Sequence, residues 1–595
     1  MKSTQLLPIF FFVVLSMLHA LALPEHPRLL ATDRHWKDLK QRMEREPVLK
    51  KIVETSILRA DSVIDAPPLP PKVVGRRMLN VSRTALMRIL DLSTAWKITG
   101  QKKYFDRCRT ELLNVCSFNN WHPIHHLDTA EMQAAVAIGY DWLYHELSPE
   151  VRKLIQVALL EKGLNETVQQ RKIMRRHNNW NQVCMGGLTL SSIALMDVYP
   201  EKAKTALDAA LAAIPTGING SYSNEGAYAE GGGYWEYGTQ FTILTIEALR
   251  TAGIPADSIS NHKGFRKSGK YISQVYGTSK QLFNYGDTSV RMVGASPSLA
   301  WMARETGDAN LRNKIRPHFL KLENRGGSRL LALSAFWFPS KTEVRPEARN
   351  LGFVSGGPSP IVIHRTGFEK DDLFLGIKAG KAEVNHGHMD AGSFVIDWAG
   401  SRWASDLGKQ GYHELEETGM SLFDMTQESL RWSVFRLNNH SHNTLTYNGK
   451  LHQVDGAAKI LSSKQGKENT TLLDMTSPLG LPEDATATRR FTMDSTQVRI
   501  IDQLQGLKPG DKITWNFLTS SNITKSGDAL TLEKNQKRVT LKLLSPQQVD
   551  LKSSMADPPP KEFDEPNPTM SRVSLETVAG KHGNIHIEAV FLLGE

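Results

Sequence analysis

The chain has 595 residues, of which 40% are apolar and 23% are charged, and it carries a formal net charge of +10 at neutral pH. This length exceeds what one hydrophobic core organises, so two or three domains are expected, with the composition of an ordinary globular protein. The positive charge is spread along the chain without a nucleic-acid-binding motif. It is either a plain basic surface or a field that attracts an acidic partner.

Residues 1–22 have the pattern of a secretory signal peptide. Lys2 precedes the apolar run "LLPIFFFVVLSML", and "ALA" follows at positions 20–22. The run is shorter than the roughly 20 residues that span a bilayer, and a small-x-small cleavage site follows it. We predict cleavage after Ala22, a periplasmic or secreted protein and no membrane span elsewhere. The three cysteines, at 108, 116 and 184, permit one disulfide, and we predict that they lie in the core. Their spacing does not resemble that of a thiolate metal site.

Residues from about 80 to 320 have a helical pattern. "SRTALMRILDLSTAWKITG" starts with a Ser cap and ends at Gly100, and "DTAEMQAAVAIGYDWLYHEL" is apolar nearly all round, with a capping box from Asp128 to Glu131. Successive helices follow without strands between them, which predicts an all-helical domain over residues 23–345.

The pattern changes after about residue 345. Short runs such as "SPIVIHRT", "DDLFLGIKAG" and "KITWNFLTS" are rich in β-branched residues and separated by Gly, Asn and Asp. This predicts an antiparallel β-sandwich over residues 346–595. The fold class is therefore α+β and multidomain, helical first and all-β second.

The segment "VNHGHMDAGSF" at 384–394 contains the densest cluster of chemically active residues. As a strand it would project His386, His388 and Asp390 from one face. Imidazole is both a general base near neutral pH and a metal ligand, so the two histidines can divide these roles. Downstream, "RWASDLG" supplies Asp406 and "NNHSHNTLTYNG" supplies His442; with His388 they form a His₂Asp set suited to zinc.

Two further segments carry candidate substrate contacts. "HNNWNQVCMGG" at 177–187 offers the amides of Asn179, Asn181 and Gln182, and the indole face of Trp180. Amides donate hydrogen bonds to carboxylates and indole packs on sugar rings, so we predict a carboxylate or sugar clamp. A polar helix start with capping asparagines is the alternative.

The other segment, "NEGAYAEGGGYWEYGTQF" at 224–241, contains glycines, acids and aromatics. Tyr234 and Tyr237 are three residues apart and therefore neighbours on one helix face, where a phenol can act as acid or base. An aromatic core is the alternative. "NYGDTSVR" at 284–291 adds Asp287 and Arg291 as an ordered polar loop.

These segments, above all "NHGHMDAGSFVIDWAGSRWASDLG" with "HNTLTYNG", resemble the heparinase II/III family of polysaccharide lyases, and "YWEYG" looks closest to its heparinase II branch. The resemblance runs from about residue 25 to the end. It implies an incomplete (α/α) toroid followed by a β-sandwich, and β-elimination at uronic acids of acidic polysaccharides. A competing string match, HxHxD of metallo-β-lactamase-type hydrolases, fails because Ala391 stands where that motif has histidine.

The resemblance also implies residue roles. Tyr237 is the first choice for the catalytic acid and also a base, with Tyr234 in reserve, and His386 looks like the catalytic base. Asn181 and Gln182, with Asn179, fall where the family neutralises the substrate carboxylate. Relatives often have histidine at the position of Gln182, which leaves the tolerance of C5 epimers open.

Further substrate contacts implied are Trp180, Glu230, Trp235 and Arg291. His388, Asp406 and His442 are expected to hold a structural zinc ion by similarity.

The sequence therefore predicts a glycosaminoglycan lyase that acts on heparan sulfate, chondroitin or hyaluronan. An alginate or other polyuronate lyase, a non-catalytic glycan-binding protein and a metal-dependent hydrolase stay open as alternatives. A homodimer is compatible with the sequence, which does not fix the oligomeric state.

Overall fold

The computed structural model describes residues 23–291, 294–323, 326–345, 349–527, 529–547 and 549–594. The predicted signal peptide, residues 1–22, lies outside the described residues. Within them, no helix combines the length and the apolar character needed to cross a membrane. The three cysteines are unpaired, and Cys108 and Cys184 are buried as predicted.

The first half of the chain is helical. Its helices are α1 (Asp33–Met43), α2 (Pro47–Asp61), α3 (Leu79–Thr99), α4 (Lys102–Ser117), α5 (Leu127–Trp142), α6 (Pro149–Ala158), α7 (Asn165–Val168), α8 (Arg171–Met174), α9 (Asn179–Leu195), α10 (Pro200–Ser221), α11 (Gly231–Thr251), α12 (Asp257–Ser260), α13 (Lys263–Val275), α14 (Pro297–Thr306), α15 (Ala309–Leu320) and α16 (Ser334–Trp337). Two short helices occur in the second half, α17 (Tyr412–Glu417) and α18 (Thr476–Leu479).

Local sequence explains most of these helices. α5 is apolar on all sides because it is surrounded by other helices, and all of its residues are buried. α3 ends where Gly100 adopts a left-handed conformation with φ of 67°. The predicted capping box at the start of α5 is wrong, because Asp128 lies inside the first turn and accepts the backbone N–H of Met78 at 2.6 Å.

The second half consists of antiparallel sheets. The strands are β1 (Gly352–Val354), β2 (Ile361–Arg365), β3 (Phe374–Lys378), β4 (Phe394–Trp398), β5 (Ser401–Ala404), β6 (Leu445–Tyr447), β7 (Lys459–Lys464), β8 (Asn469–Asp474), β9 (Thr486–Met493), β10 (Gln497–Gln505), β11 (Lys512–Thr519), β12 (Asn522–Ser526), β13 (Ala529–Lys534), β14 (Lys537–Ser545), β15 (Lys552–Met555), β16 (Ser571–Val578) and β17 (Ile585–Leu593). Among the described residues they form sheets in the orders β1-β2-β3-β4-β5, β12-β13-β14-β17-β10-β9-β8-β7 and β15-β16-β11-β6.

The sheet β1–β5 lies between the helices and the rest of the sandwich. Along β2, Ile361 and Ile363 belong to the helical core, whereas Val362 between them belongs to the sandwich core. Alternate residues thus face opposite layers, and all residues of β2 and β3 are buried. The fold is therefore the predicted helical toroid followed by a β-sandwich, with one sheet shared by both cores.

The predicted domain boundary at 345/346 adjoins residues 346–348, which are outside the described residues. Helix α16 ends at Trp337 and β1 begins at Gly352, so the change from helix to strand occurs between these positions. The boundary itself stays a prediction.

The prediction that residues 384–394 form a strand is wrong. Residues 384–393 form a loop between β3 and β4, and His386 has a φ of 63°, in the left-handed region. Period-two spacing therefore does not align its histidines. They converge because both bind one carboxylate, which is described next.

Candidate active site

A cavity of about 780 Å³ opens between the helical domain and the sandwich. The helical side contributes the start of α3 and the segment before it, the starts of α9 and α11, and the loop 287–291. The sandwich side contributes the 385–386 loop and the segment from 409 to 423. Of the predicted site residues, the lining includes Asn179, Trp180, Tyr234, Tyr237, Arg291 and His386.

Asp287 is the centre of the polar network on the sandwich side. Its Oδ2 accepts hydrogen bonds from His386 Nδ1 at 3.0 Å and Tyr412 Oη at 2.8 Å, and its Oδ1 accepts one from His388 Nε2 at 2.9 Å. Arg431, which is fully buried, approaches Oδ2 at 3.3 Å. Burial raises the pKa of Asp287, but Arg431 and the two histidines outweigh it and hold this pKa well below its usual range.

His386 is fixed by contacts on several sides. Its ring stacks on Tyr234 with centroids 3.7 Å apart, and Phe423 meets its face edge-on at 5.4 Å. Because the Asp287 carboxylate accepts from Nδ1, the neutral ring carries its proton there and Nε2 is the basic nitrogen. Nε2 has no hydrogen-bond partner in the described part of the chain, so it is available to a substrate.

Tyr234 joins the same network through Tyr412. The two hydroxyl oxygens are 2.6 Å apart, and Tyr412 also lies 3.0 Å from His386 Nδ1. Burial and the charge of Asp287 raise the pKa of both tyrosines, so both phenols keep their protons at neutral pH. Tyr412 was not predicted, because it comes from α17, outside any recognisable motif.

Tyr237 lies one helical turn from Tyr234, among arginines. Arg83 lies over its ring at 4.7 Å from the centroid and Arg329 at 5.5 Å, and both arginines bind the buried Glu131, with Nε–O distances of 3.0 and 2.9 Å. The Tyr237 hydroxyl is buried and has no hydrogen-bond partner among the described residues. Burial and Glu131 raise its pKa, and the two arginines oppose this.

Glu230 connects the two halves of the site. Its carboxylate accepts hydrogen bonds from the amide of Asn179, at the start of α9, and from Asn385 Nδ2 at 2.6 Å. Glu230 is 3% exposed and burial raises its pKa. It does not line the cavity itself, but it fixes two amides that do.

The structure does not support the predicted substrate contacts of Asn181 and Gln182. Both side chains are buried, and Asn181 Nδ2 donates to the carbonyls of Met174 and Ala213 at 2.8 and 3.1 Å. Gln182 Nε2 donates to the hydroxyl of Thr242 at 2.9 Å. Only the first turn of α9 reaches the cavity, and these two amides point into the helical core.

Trp235 is also misassigned as a substrate contact. It is fully buried, because it lies about 100° around α11 from its neighbour Tyr234. Trp180 is half-buried at the cavity, where Arg176 lies 4.9 Å from its ring and His125 meets it edge-on at 5.0 Å. Its indole face is therefore held in one orientation.

Cationic side chains surround the mouth of the cavity. Arg176, Arg291 and Lys409 line it without a carboxylate partner in the parts of the chain that are described. Arg77 also lines it, and both of its terminal nitrogens bind Glu416, at 2.5 and 2.8 Å. The site therefore suits an anionic ligand.

The predicted zinc ligands lie behind this network. His388 and His442 are fully buried with ring centroids 5.3 Å apart, and His388 Nδ1 and His442 Nε2 are buried without partners. Asp406 accepts from His442 Nδ1 at 2.7 Å. Across the described residues, no cluster of three or more His, Cys, Asp or Glu side chains has metal-binding geometry. The two free imidazole nitrogens fit zinc, and a third ligand requires the Asp406 carboxylate or the His442 ring to rotate.

Comparisons with known proteins concern the family of the second half and the fold of the chain. Residues 359–575 match the family model described as heparinase II/III-like, C-terminal. No curated protein sequence matches the chain. A crystal structure of heparinase III is similar at 12% identity, covering 88% of this chain and 78% of that one, with a TM-score of 0.61.

Two other solved structures extend the similarity. Heparan sulfate lyase HepC from Pedobacter heparinus is similar at 11% identity, covering 87% of this chain and 76% of that one, with a TM-score of 0.58. Chondroitin AC lyase from Streptomyces coelicolor A3, solved with chondroitin sulphate, is similar at 11% identity, covering 94% and 82%, with a TM-score of 0.53. The likeness to heparinase II in particular stays a prediction. Residues 359–575 thus form a heparinase II/III-like C-terminal domain, in a chain that has the fold of heparinase III and chondroitin AC lyase.

Proposed function

We propose that this protein is a polysaccharide lyase that cleaves a uronic-acid-containing glycosaminoglycan by β-elimination. The observation that carries the proposal is that a phenol from the helical domain, Tyr234, and an imidazole from the sandwich, His386, are in contact at one basic cavity. The family of the C-terminal domain and the lyases of similar fold support the same chemistry.

Elimination begins with neutralisation of the uronate carboxylate, which makes the C5 proton acidic enough to remove. Asn179 and Asn385, fixed by Glu230, present amide N–H groups at the cavity. Arg176 and Arg291 add positive charge for further anionic groups of the polymer. These residues therefore bind the substrate and withdraw charge from the reacting sugar.

His386 is the proposed general base. Asp287 orients its ring so that Nε2 takes the C5 proton, the C4–O4 bond breaks, and a C4=C5 double bond forms. No water is consumed. The leaving O4 atom takes a proton from a phenol, which must be protonated when the substrate binds.

Tyr234 is the proposed acid, ahead of Tyr237. Tyr234 contacts His386 and its raised pKa keeps the phenol protonated, whereas Arg83 covers Tyr237 and the Tyr237 hydroxyl is buried. This reverses the order of preference taken from the sequence. Tyr237 then packs its ring against Arg83 and Arg329.

We also propose zinc as a structural ion, held by His388, His442 and Asp406. It would neutralise Asp406 and fix the loop that carries His386. Export after cleavage at Ala22 is proposed as well, because an extracellular polymer requires it. Fractionation of cells that express the full chain, with detection of the mature protein outside the cytoplasm, tests this.

The activity test is a panel of heparan sulfate, chondroitin sulfate, hyaluronan and alginate, followed by ultraviolet absorbance and product mass. Elimination predicts a rise in absorbance from the conjugated double bond, and products without added water. Asp502→Asn, at a residue that does not line the cavity, is a control that is expected to retain turnover while it is folded. A panel on which the folded protein forms no unsaturated product would refute the lyase proposal, and turnover of alginate alone would refute the glycosaminoglycan assignment.

A further inference from the structure

A second cavity lies on the seam between the helical domain and the first sheet. It has a volume of about 460 Å³ and is formed by one face of α13, the start of α15, the segment 349–354 and Phe368. We call it the seam cavity. None of its lining residues also lines the active-site cavity within the described part of the chain. Its size is within the ~300–1,000 Å³ of small-ligand sites.

The seam cavity concentrates positive charge. Lys267, Lys314 and Arg349 line it, and no carboxylate lies within ion-pair distance of any of the three in the described ranges. Burial, and then the positive charges of Arg365 and Arg349, lower the pKa of the Lys314 ammonium to about 7. Like charges held together without compensation are unfavourable, and a bound anion relieves this repulsion.

The two carboxylates at the seam cavity are already engaged. Glu225 Oε2 accepts the backbone N–H of Gly356 at 3.2 Å, and Asp308 Oδ1 accepts that of Leu311 at 3.0 Å to cap α15. They fix the walls of the cavity and, among the described residues, do not pair with Lys267, Lys314 or Arg349.

Aromatic faces accompany the cations. Arg349 lies 5.1 Å from the Phe368 ring centroid and Arg365 lies 4.4 Å from it, while Phe353 contributes a half-buried ring from β1. Gln274 Nε2 donates to Asn350 O at 2.9 Å, which ties α13 to the sandwich side of the cavity. Aromatic faces beside cationic and amide groups suit a sugar ring that carries carboxylate or sulfate.

We propose that the seam cavity is a second binding site for an anionic saccharide unit of the polymer, separate from the active site. The choice of a saccharide among anionic ligands rests on the proposed function. A long polysaccharide can occupy both sites of one protein molecule at the same time. The seam cavity therefore raises the affinity for long polysaccharides and does not change the affinity for short oligosaccharides.

The test compares the double variant Lys314→Ala/Arg349→Ala with the charge-matched double variant Lys542→Ala/Lys552→Ala. The control lysines lie on exposed positions of β14 and β15, away from every cavity described above. The probe is the polymer that the wild-type protein cleaves, as long chains and as tetrasaccharides; if none is cleaved, equilibrium binding of long-chain heparin is measured instead. Thermal unfolding checks that both double variants are folded.

We expect the seam double variant to raise KM for the long polymer, or Kd for heparin, by at least about tenfold. The value of kcat and the turnover of tetrasaccharides should match the control. Equal KM or Kd values for the two double variants would overturn the inference. It would also be overturned if inorganic sulfate competed with the polymer for binding as strongly as a saccharide of equal charge does. Weaker heparin binding by the seam variant of a protein that cleaves nothing would support the seam site and refute the lyase proposal.

Discussion

Replacing Asp287 with Asn tests the network that orients His386. The carboxylate accepts three hydrogen bonds of 2.8–3.0 Å, from His386, His388 and Tyr412, and it is the carboxylate partner of the fully buried Arg431. Breaking a buried ion pair costs about 3–5 kcal/mol in unfolding free energy. The amide also fails to hold the proton on His386 Nδ1, which should lower kcat by roughly 10²- to 10⁴-fold.

The assay separates these two effects. Urea unfolding gives the free energy of unfolding, and turnover is measured under conditions where the variant is fully folded. The control is Asp502→Asn, because Asp502 pairs with the fully buried Arg489 at 2.7 and 2.9 Å within the sandwich. We expect both variants to lose stability and only Asp287→Asn to lose kcat. A folded Asp287→Asn protein with wild-type kcat would refute the role given to Asp287.

Three further predictions concern the phenols, pH and zinc. Tyr234→Phe should lower kcat by about 10²-fold or more, and Tyr237→Phe by less, because only the first variant removes the proposed acid. A larger loss of kcat in Tyr237→Phe than in Tyr234→Phe would instead support Tyr237 as the acid, as the sequence predicted. Burial lowers the pKa of His26, but the hydrogen bond to Asp141, at 2.5 Å, and the Asp197 carboxylate, 3.5 Å from Nε2, raise it above its usual value overall. The charged His26 therefore stabilises the fold below the unfolded pKa of ~6.5, and this contribution is lost as pH rises through the higher folded pKa. Urea unfolding from about pH 5.5 to about pH 8.5 should show this loss, and His26→Gln should abolish it; an unchanged profile in the variant would contradict the assignment. Elemental analysis should find about one zinc ion per protein molecule. His388→Ala should lose this zinc and lower Tm by several degrees. A wild-type protein that contains no zinc and has the same Tm with and without added zinc would contradict the metal site.

The division into two halves could be predicted because it rests on local patterns. Apolar spacing and the terminal Gly100 identify α3, whereas its predicted Ser cap is wrong, because the helix begins at Leu79 and Ser82 lies inside it. The runs that contain β2 and β3 predicted strands, and all residues of both strands are buried. That one sheet belongs to both cores was not predicted, because a single strand does not specify which layers cover it.

The site was predictable only in part. His386 and Tyr234 were named from motifs, but their contact depends on Asp287, which is 99 residues before His386 in the chain. The strand prediction failed because period-two spacing also occurs in loops, and here glycines and a left-handed His386 break the strand. Tyr412 and Arg431 carry no local signal, since each is a single polar residue whose partner is distant in sequence.

The amides of α9 illustrate a related limit. Asn179, Asn181 and Gln182 are chemically alike and adjacent in sequence, yet one reaches the cavity and two bond within the helical core. Their directions depend on how α9 is rotated against α10 and α11. Tertiary packing sets this rotation, and the polar pattern of the segment does not record it.

The most direct test of the account is a crystal structure of the Tyr234→Phe variant with a uronic-acid tetrasaccharide from the substrate panel. The account predicts one uronate in the cavity between the two domains, with its C5 atom facing His386 Nε2, its O4 atom facing the edge of the aromatic ring at position 234, and its carboxylate bound by Asn179. A tetrasaccharide bound elsewhere, or with C5 turned away from His386, would contradict the claim that an imidazole from the sandwich and a phenol from the helices act on one sugar.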